Sequence, residues 1–226
     1  MALLLHIETA TDVTSICISR DTSVLSIKNG SGPMKHAQEL TCLIQDSMKE
    51  LGLSFKELDA VSVSQGPGSY TALRVGTSVA KGICYASDKP LIAIDTLEAL
   101  AYTSALQIEA DFYCPMIDAR RKEVYMSFYN NKSTVLKPCQ ALILEATTFA
   151  EYVQEGQTIV FSGNGSPKFQ EMVSRPEFLF SEVNCSAINL IPLALKAYEK
   201  KEFQSIAYFE PVYLKPPNIT VPKKRL

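Results

Sequence analysis

The stretch 60–88, AVSVSQGPGSYTALRVGTSVAKGICYASD, holds the residues best able to meet a ligand. Residues 60–65 alternate Val61 and Val63 with small or polar side chains, as a strand does, and Gly66-Pro67-Gly68 breaks the run. Ser69 or Tyr70 then stands where a helix begins, and a serine oxygen there can accept from an orphan amide. A strand, a glycine turn and a helix start together present free N–H groups and a positive helix end, which suits phosphate or carboxylate. Gly66, Gly68, Ser69, Thr71 and Arg74 therefore form the candidate phosphate loop, the alternative being that Gly-Pro-Gly is a tight turn and no more.

Other chemistry finds less support. Ser69 lacks both flanking glycines of a G-x-S-x-G elbow, so it reads as a helix cap and not as a nucleophile. Thr71 stands where a dinucleotide fingerprint needs its third glycine, and no G-x-x-x-x-G-K occurs. His6 and His36 are the only histidines, and the six cysteines are scattered without a C-x-x-C pair. No metal site and no catalytic residue are expected. Asp118-Ala119-Arg120-Arg121 is a charged cluster that either fixes a turn by ion pairing or faces a partner, with the structural role preferred.

The elements that must position these residues follow from periodicity. Strands are expected at 3–7, 14–19 and 22–28, a helix at 36–51, a strand at 58–65, a helix at 71–86, a strand at 91–95 and a helix capped by Thr96 running to 106. The pattern then restarts with strands at 112–118, 123–129 and 134–144, a short helix at 148–153 and a strand at 158–162. A second glycine turn, Gly163-Asn164-Gly165-Ser166, follows, and the last helix is expected at 188–201. This element order predicts an α/β fold of two βββαβα halves, 1–106 and 107–210, followed by a Pro-rich tail, 211–226, ending in Lys223-Lys224-Arg225. The tail reads as extended and solvated, with contact to RNA as the alternative.

The helix at 71–86 carries only Arg74 and Lys81 as charges, so it should be covered nearly all round. Ala72, Gly76 and Ala80 recur every four residues as a flat ridge for close approach. Leu40, Ile44, Met48, Ala72, Gly76, Val79, Ala80 and Ile83 are the expected partner face of two adjacent helices.

The 226 residues suffice for a sizeable core, and 46% hydrophobic with 20% charged residues fits a soluble globular protein. A formal net charge of −2 gives no global basic field for nucleic acid, so any RNA contact must be local or made by a partner. No apolar run approaches a membrane span, and the cysteines read as small core residues in a reducing cytoplasm.

Five strings then carry a family resemblance: GPGSYTALRVGTSVAKG at 66–82, IDARRKEVYMSFY at 117–129, HAQEL at 36–40, LLHIETAT at 4–11 and PVYLK at 211–215. In order and along the whole chain, they resemble the TsaB (YeaZ) family of bacterial tRNA threonylcarbamoyladenosine subunits. The resemblance implies the actin, Hsp70 and sugar-kinase type of fold. It also implies an accessory role beside a catalytic paralogue, TsaD, and a small ATPase, TsaE, with tRNA reached through the complex and a homodimer when the chain is alone. The catalytic paralogue holds metal through H-x-x-x-H on its first helix, whereas His36 here is followed by Leu40. Actin-like ATPases place Asp-x-Gly-x-Thr after the first strand, and this chain has Glu8-Thr9-Ala10-Thr11; Glu8 also departs from the aspartate usual in the family. The family reading therefore implies no cofactor for the chain by itself, with ATP or ADP only at a joint with the partner. The competing reading is an autonomous ATP-dependent actin-like enzyme, with 66–71 or 163–166 holding phosphate, or a glycopeptidase-like hydrolase.

Overall fold

The computed structural model of the chain describes residues 1–32, 35–152 and 156–215. Strands β1 (Leu3–Glu8), β2 (Ser15–Arg20) and β3 (Ser23–Asn29) form a meander, followed by α1 (His36–Glu50), β4 (Ala60–Gly66), α2 (Tyr70–Ser87), β5 (Leu91–Asp95) and α3 (Thr96–Gln107). The five strands make one sheet in the order β3-β2-β1-β4-β5, with β4 parallel to both β1 and β5. A second sheet contains β6 (Phe112–Asp118), β7 (Glu123–Asn130), β8 (Val135–Ile143), β9 (Ile159–Ser162) and β10 (Phe178–Phe180), in the order β10-β9-β6-β7-β8. Both sheets trace the same path, so the α/β class with repeated halves is observed; the fifth strand of the first half, β5, stands where it is expected, at 91–95, and that of the second half, β10, is an addition.

Several local expectations need correction. Strand β10 is only three residues long, and its Phe178/Phe180 alternation is too short to register as periodicity. The helix expected at 148–153 is a 3-10 turn, Ala150–Tyr152, and Val153 lies outside the described residues. A short helix, α4 (Ser166–Gln170), follows the second glycine turn, and the last helix divides into a 3-10 turn, Ala187–Leu190, and α5 (Ile191–Glu199); Pro192 sits in the first turn of α5, where its missing N–H removes no helical bond. Helix α3 is capped by Asp95 and not by Thr96: the carboxylate accepts from Leu97 N at 2.8 Å and Glu98 N at 2.9 Å. Cys17, Cys84 and Cys114 are buried as expected, but Cys42 is exposed on α1. Within the tail, Lys223, Lys224 and Arg225 lie outside the described residues.

Leu5, Ile7, Ile16, Ile18, Val61 and Val63 pack one face of the first sheet against Leu40, Ile44 and Met48 of α1 and Ala80 and Cys84 of α2. The other face presents Leu4, Ala60, Ile92 and Ile94, which meet Ala99 of α3 and Leu193, Ala194 and Ala197 of α5. Helix α5 thus belongs by sequence to the segment 107–210, yet it closes the back of the first sheet. Helix α3 is apolar on more than one side and touches both halves, Leu97 and Leu100 packing with Ile117, and Ala101 with Tyr113 and Val160. Among the described residues no helix is long and apolar enough to cross a membrane.

The second core is largely aromatic. Phe161 is fully buried and lies 5.1 Å from Phe149, 4.9 Å from Phe169 and 5.3 Å from Phe178, measured between ring centroids. Removing that ring leaves a void the neighbouring rings cannot collapse into, so Phe161→Ala is expected to lower the unfolding free energy by about 3–5 kcal/mol in urea titration.

Candidate functional site

The glycine loop after β4 is closed by the chain's own backbone. Ser69 N donates to the carbonyl of Ala10 at 2.7 Å, and a Cβ placed on Gly68 would lie 2.2 Å from that same oxygen. Gly66 adopts φ +107, and a Cβ there would sit 2.8 Å from the carbonyl of Val212. Val212 N in turn donates to Gln65 O at 2.8 Å. Gly66 and Gly68 are therefore glycines because two other segments press against them, the β1–β2 turn from one side and residues 211–213 from the other. Ser69 occupies the cap position of α2 but makes no side-chain cap bond, contrary to expectation; its carbonyl instead accepts from Leu73 N at 2.9 Å. Thr71 is exposed on the first turn. Arg74 lies with its guanidinium 5.4 Å from the ring centre of Tyr70 and donates to Tyr70 Oη at 3.1 Å. The space against the backbone of Gly66 and Gly68 thus holds the Val212 and Ala10 carbonyls, two partial negative charges.

The turn after β1 is equally self-contained. Glu8 is buried, and its Oε1 accepts from Ala10 N at 2.5 Å and Ser64 Oγ at 2.9 Å. Burial pushes its carboxyl up to about 7, against the downward pull of those bonds. The histidines are framework residues. His6 sits between Ser62 Oγ at 2.7 Å and Ser19 Oγ at 2.8 Å, and burial lowers its pKa to about 3, so the ring stays neutral. His36 Nδ1 bonds to Thr14 Oγ1.

The expected partner face is mostly occupied by the chain itself. Leu40, Ile44, Met48, Ala72, Gly76 and Ala80 are all buried, which corrects their assignment to an interface. Their spacing marks the inward stripe, and the small-residue ridge brings α2 against the β1–β2 turn: a Cβ on Gly76 would lie 2.2 Å from Thr9 Oγ1. Val79 and Ile83 are half-buried at the flank, packed against the first core. What α2 turns outward is Thr71, Arg74, Ser78, Gly82, Tyr85 and Ala86. Tyr85 is 84% exposed. Beside it Ser54, Phe55, Gly82, Ile83 and Ala86 line a shallow groove of about 420 Å³. The signal that could have found Tyr85 is its place as the one aromatic residue in the last two turns of the outward stripe, among Ser78, Gly82 and Ala86.

At the far end of the second sheet, the Asp118 cluster forms the β6–β7 hairpin turn. Asp118 pairs with Lys168 at 2.5 Å and not with the arginines, while Lys168 also donates to Arg121 O at 2.7 Å. Arg120 and Arg121 both take left-handed backbone, φ 69 and 55. Residues 209–215 run from α2 to this hairpin. Lys81 Nζ donates to Phe209 O at 3.1 Å, Tyr213 packs tilted against Tyr70 with centroids 4.6 Å apart, and Lys215 pairs with Glu123 of β7. The first residues of the Pro-rich tail, 211–215, are thus tied to the rest of the chain, which corrects their reading as a solvated segment.

Two sheets of this path, with a glycine turn after β4, define the actin, Hsp70 and sugar-kinase class. The activator of 2-hydroxyisocaproyl-CoA dehydratase from Clostridium difficile shares that fold, with a TM-score of 0.52 and 9% identity over 88% of this chain and 96% of its own. Residues 30–221 match the family model described as TsaD: tRNA N6-adenosine threonylcarbamoyltransferase. YeaZ from Pseudomonas aeruginosa is 26% identical with a TM-score of 0.80, covering 95% of this chain and 100% of its own. The tRNA threonylcarbamoyladenosine biosynthesis protein TsaB of Escherichia coli (strain K12) is 24% identical over 94% of each chain. The chain belongs to this family, on its TsaB (YeaZ) branch.

Two outcomes test the site geometry. Gly68→Ala is expected to cost at least ~1 kcal/mol of stability, because the new methyl must displace the Ala10 carbonyl backbone; urea midpoints of the two proteins measure it. Glu8 binds its proton more tightly folded than unfolded, so its contribution to stability is complete below pH 4.5 and lost as pH rises through about 7. Glu8→Gln keeps the acceptor oxygen and cannot ionise. The difference in stability between variant and parent should therefore grow by up to about 3 kcal/mol across that window, read from urea titrations at its two ends.

Proposed function

We propose that the chain is a non-catalytic accessory subunit in the synthesis of tRNA threonylcarbamoyladenosine, docking on a TsaD-type transferase through the outward face of α2. Membership of the TsaB branch over nearly its full length supports the pathway, and a role in tRNA modification supports a cytoplasmic location. The observation that carries the accessory role is the glycine loop closed by Ala10 and Val212, which leaves no cradle for a phosphate where fold relatives of the kinase type would need one. The chain accordingly holds no nucleotide by itself, ATP or ADP being held only at the joint with the partner. It joins a TsaE-type ATPase in the complex, meets tRNA through that complex and forms a homodimer when alone.

Docking is supported by the exposed Tyr85, the flanking Val79 and Ile83, and the groove reaching Phe55. An aromatic anchor beside a shallow apolar groove, on a helix with few charges, is the kind of surface that holds an interface of ordinary size. Gly76→Arg would break the fold and not the interface, since Gly76 abuts Thr9; Gly82 has open space where a Cβ would stand. Gly82→Arg and Tyr85→Glu are expected to leave the melting temperature within a few degrees while abolishing co-elution with the transferase in size-exclusion chromatography. Retained co-elution by both variants would overturn the docking face. Calorimetry of the isolated chain with ATP and Mg²⁺ is expected to give no binding heat, whereas a saturable signal would favour the autonomous enzyme.

A further inference from the structure

We propose that the β6–β7 hairpin, with Arg120 and Arg121 at its tip and the Tyr70–Tyr213 ring pair beside it, is a contact site for the phosphate backbone of RNA. The inference deepens the accessory reading and rests on it for which RNA is met.

Charge at the hairpin differs from that of the whole chain. Arg120, Arg121, Lys122, Lys168 and Lys215 gather on or against it, facing three carboxylates, Asp118, Glu123 and the adjacent Glu145. Asp118 is taken by Lys168 and Glu123 by Lys215. Among the described residues the guanidinium groups of Arg120 and Arg121 make no ion pair, the Arg120 backbone N alone donating to Asp118 Oδ1 at 2.6 Å, and both residues are exposed. The two lysines thus neutralise the acids that would otherwise quench the arginines. A net charge of −2 for the chain makes this local excess the more distinct.

Aromatic surface adjoins the cations. Tyr213 packs tilted against Tyr70, Arg74 lies against the same ring, and two residues on Lys215 reaches Glu123 at the base of the hairpin. One short stretch of chain thus joins the ring pair to the hairpin. Tyr213 is 37% exposed. Open guanidinium groups beside a partly exposed ring suit a polynucleotide, which offers phosphates to the first and base faces to the second. An acidic protein segment would use the charges and leave the rings idle. A free nucleotide would need a concave cradle, and the glycine loop nearby is filled.

The test uses the full chain and fluorescein-labelled transcribed tRNA, with affinity followed by anisotropy across a salt series. Arg120→Asn with Arg121→Asn removes both charges while keeping a residue type that tolerates left-handed backbone. This pair is expected to bind about tenfold more weakly, with the slope of log affinity against log salt reduced by about 1–2. The Arg→Lys pair should stay close to the parent, and Lys200→Ala, an exposed change on the far helix, should have no effect. The proposal is overturned if the parent does not bind, if the Asn pair binds with unchanged affinity and slope, or if millimolar ATP displaces the tRNA in an arginine-dependent way. Unchanged tRNA binding with lost transferase co-elution would assign the hairpin to an acidic protein instead. Failure of the accessory reading would show separately, in the behaviour of Tyr85→Glu on the column.

Discussion

The close approach of α2 to the turn after β1 is the constraint on which most of the architecture depends. Gly68 and Gly76 let the loop and the helix reach the Ala10 carbonyl and Thr9, and either position would collide if it carried a side chain. Bringing α2 this close turns its Ala72-Gly76-Ala80 ridge inward and leaves Tyr85 and Gly82 outside. The same approach fills the space in front of the glycine loop. One packing decision therefore both sets the Ala10 carbonyl against the glycine loop and leaves the opposite face of α2 exposed.

The segment 209–215 completes that arrangement. It covers Gly66 through Val212, sets Tyr213 tilted against Tyr70 and ends in an ion pair to the second sheet. An exposed ion pair alone adds little stability. Combined with a backbone bond and a ring contact, it ties the start of α2 to the β6–β7 hairpin, so the two surfaces proposed for protein and RNA are held in fixed register by one strand of chain.

The order of elements along the chain and most helices were legible because they rest on short-range pattern. Val61 and Val63 gave β4 its alternation, and Leu40, Ile44 and Met48 gave α1 its stripe. What the pattern could not show was direction. Small residues every four positions announce that something comes close, but not whether it is another molecule or the chain's own Thr9, and here the ridge was assigned to the wrong neighbour. Contacts such as Val212 with Gln65 are made by backbone groups, which every residue possesses, and so leave no mark in residue type. Lys215 and Glu123 are 92 residues apart and could equally have paired elsewhere. At Asp118 the expected arginine pairing failed because Lys168, brought in by the second glycine turn, arrives from outside the local sequence.

Helix α5 places a condition on the order in which the chain can become stable. Leu4, Ala60, Ile92 and Ile94 have only the flank of α3 around Ala99 as cover until Leu193, Ala194 and Ala197 arrive. During synthesis the first sheet emerges long before its cover does, with apolar area waiting on nearly a hundred residues of unfinished polypeptide. The amino-terminal half is thus not an independent module that a partner could recruit early, and ribosome-bound fragments lacking the last helix would be clients for chaperones.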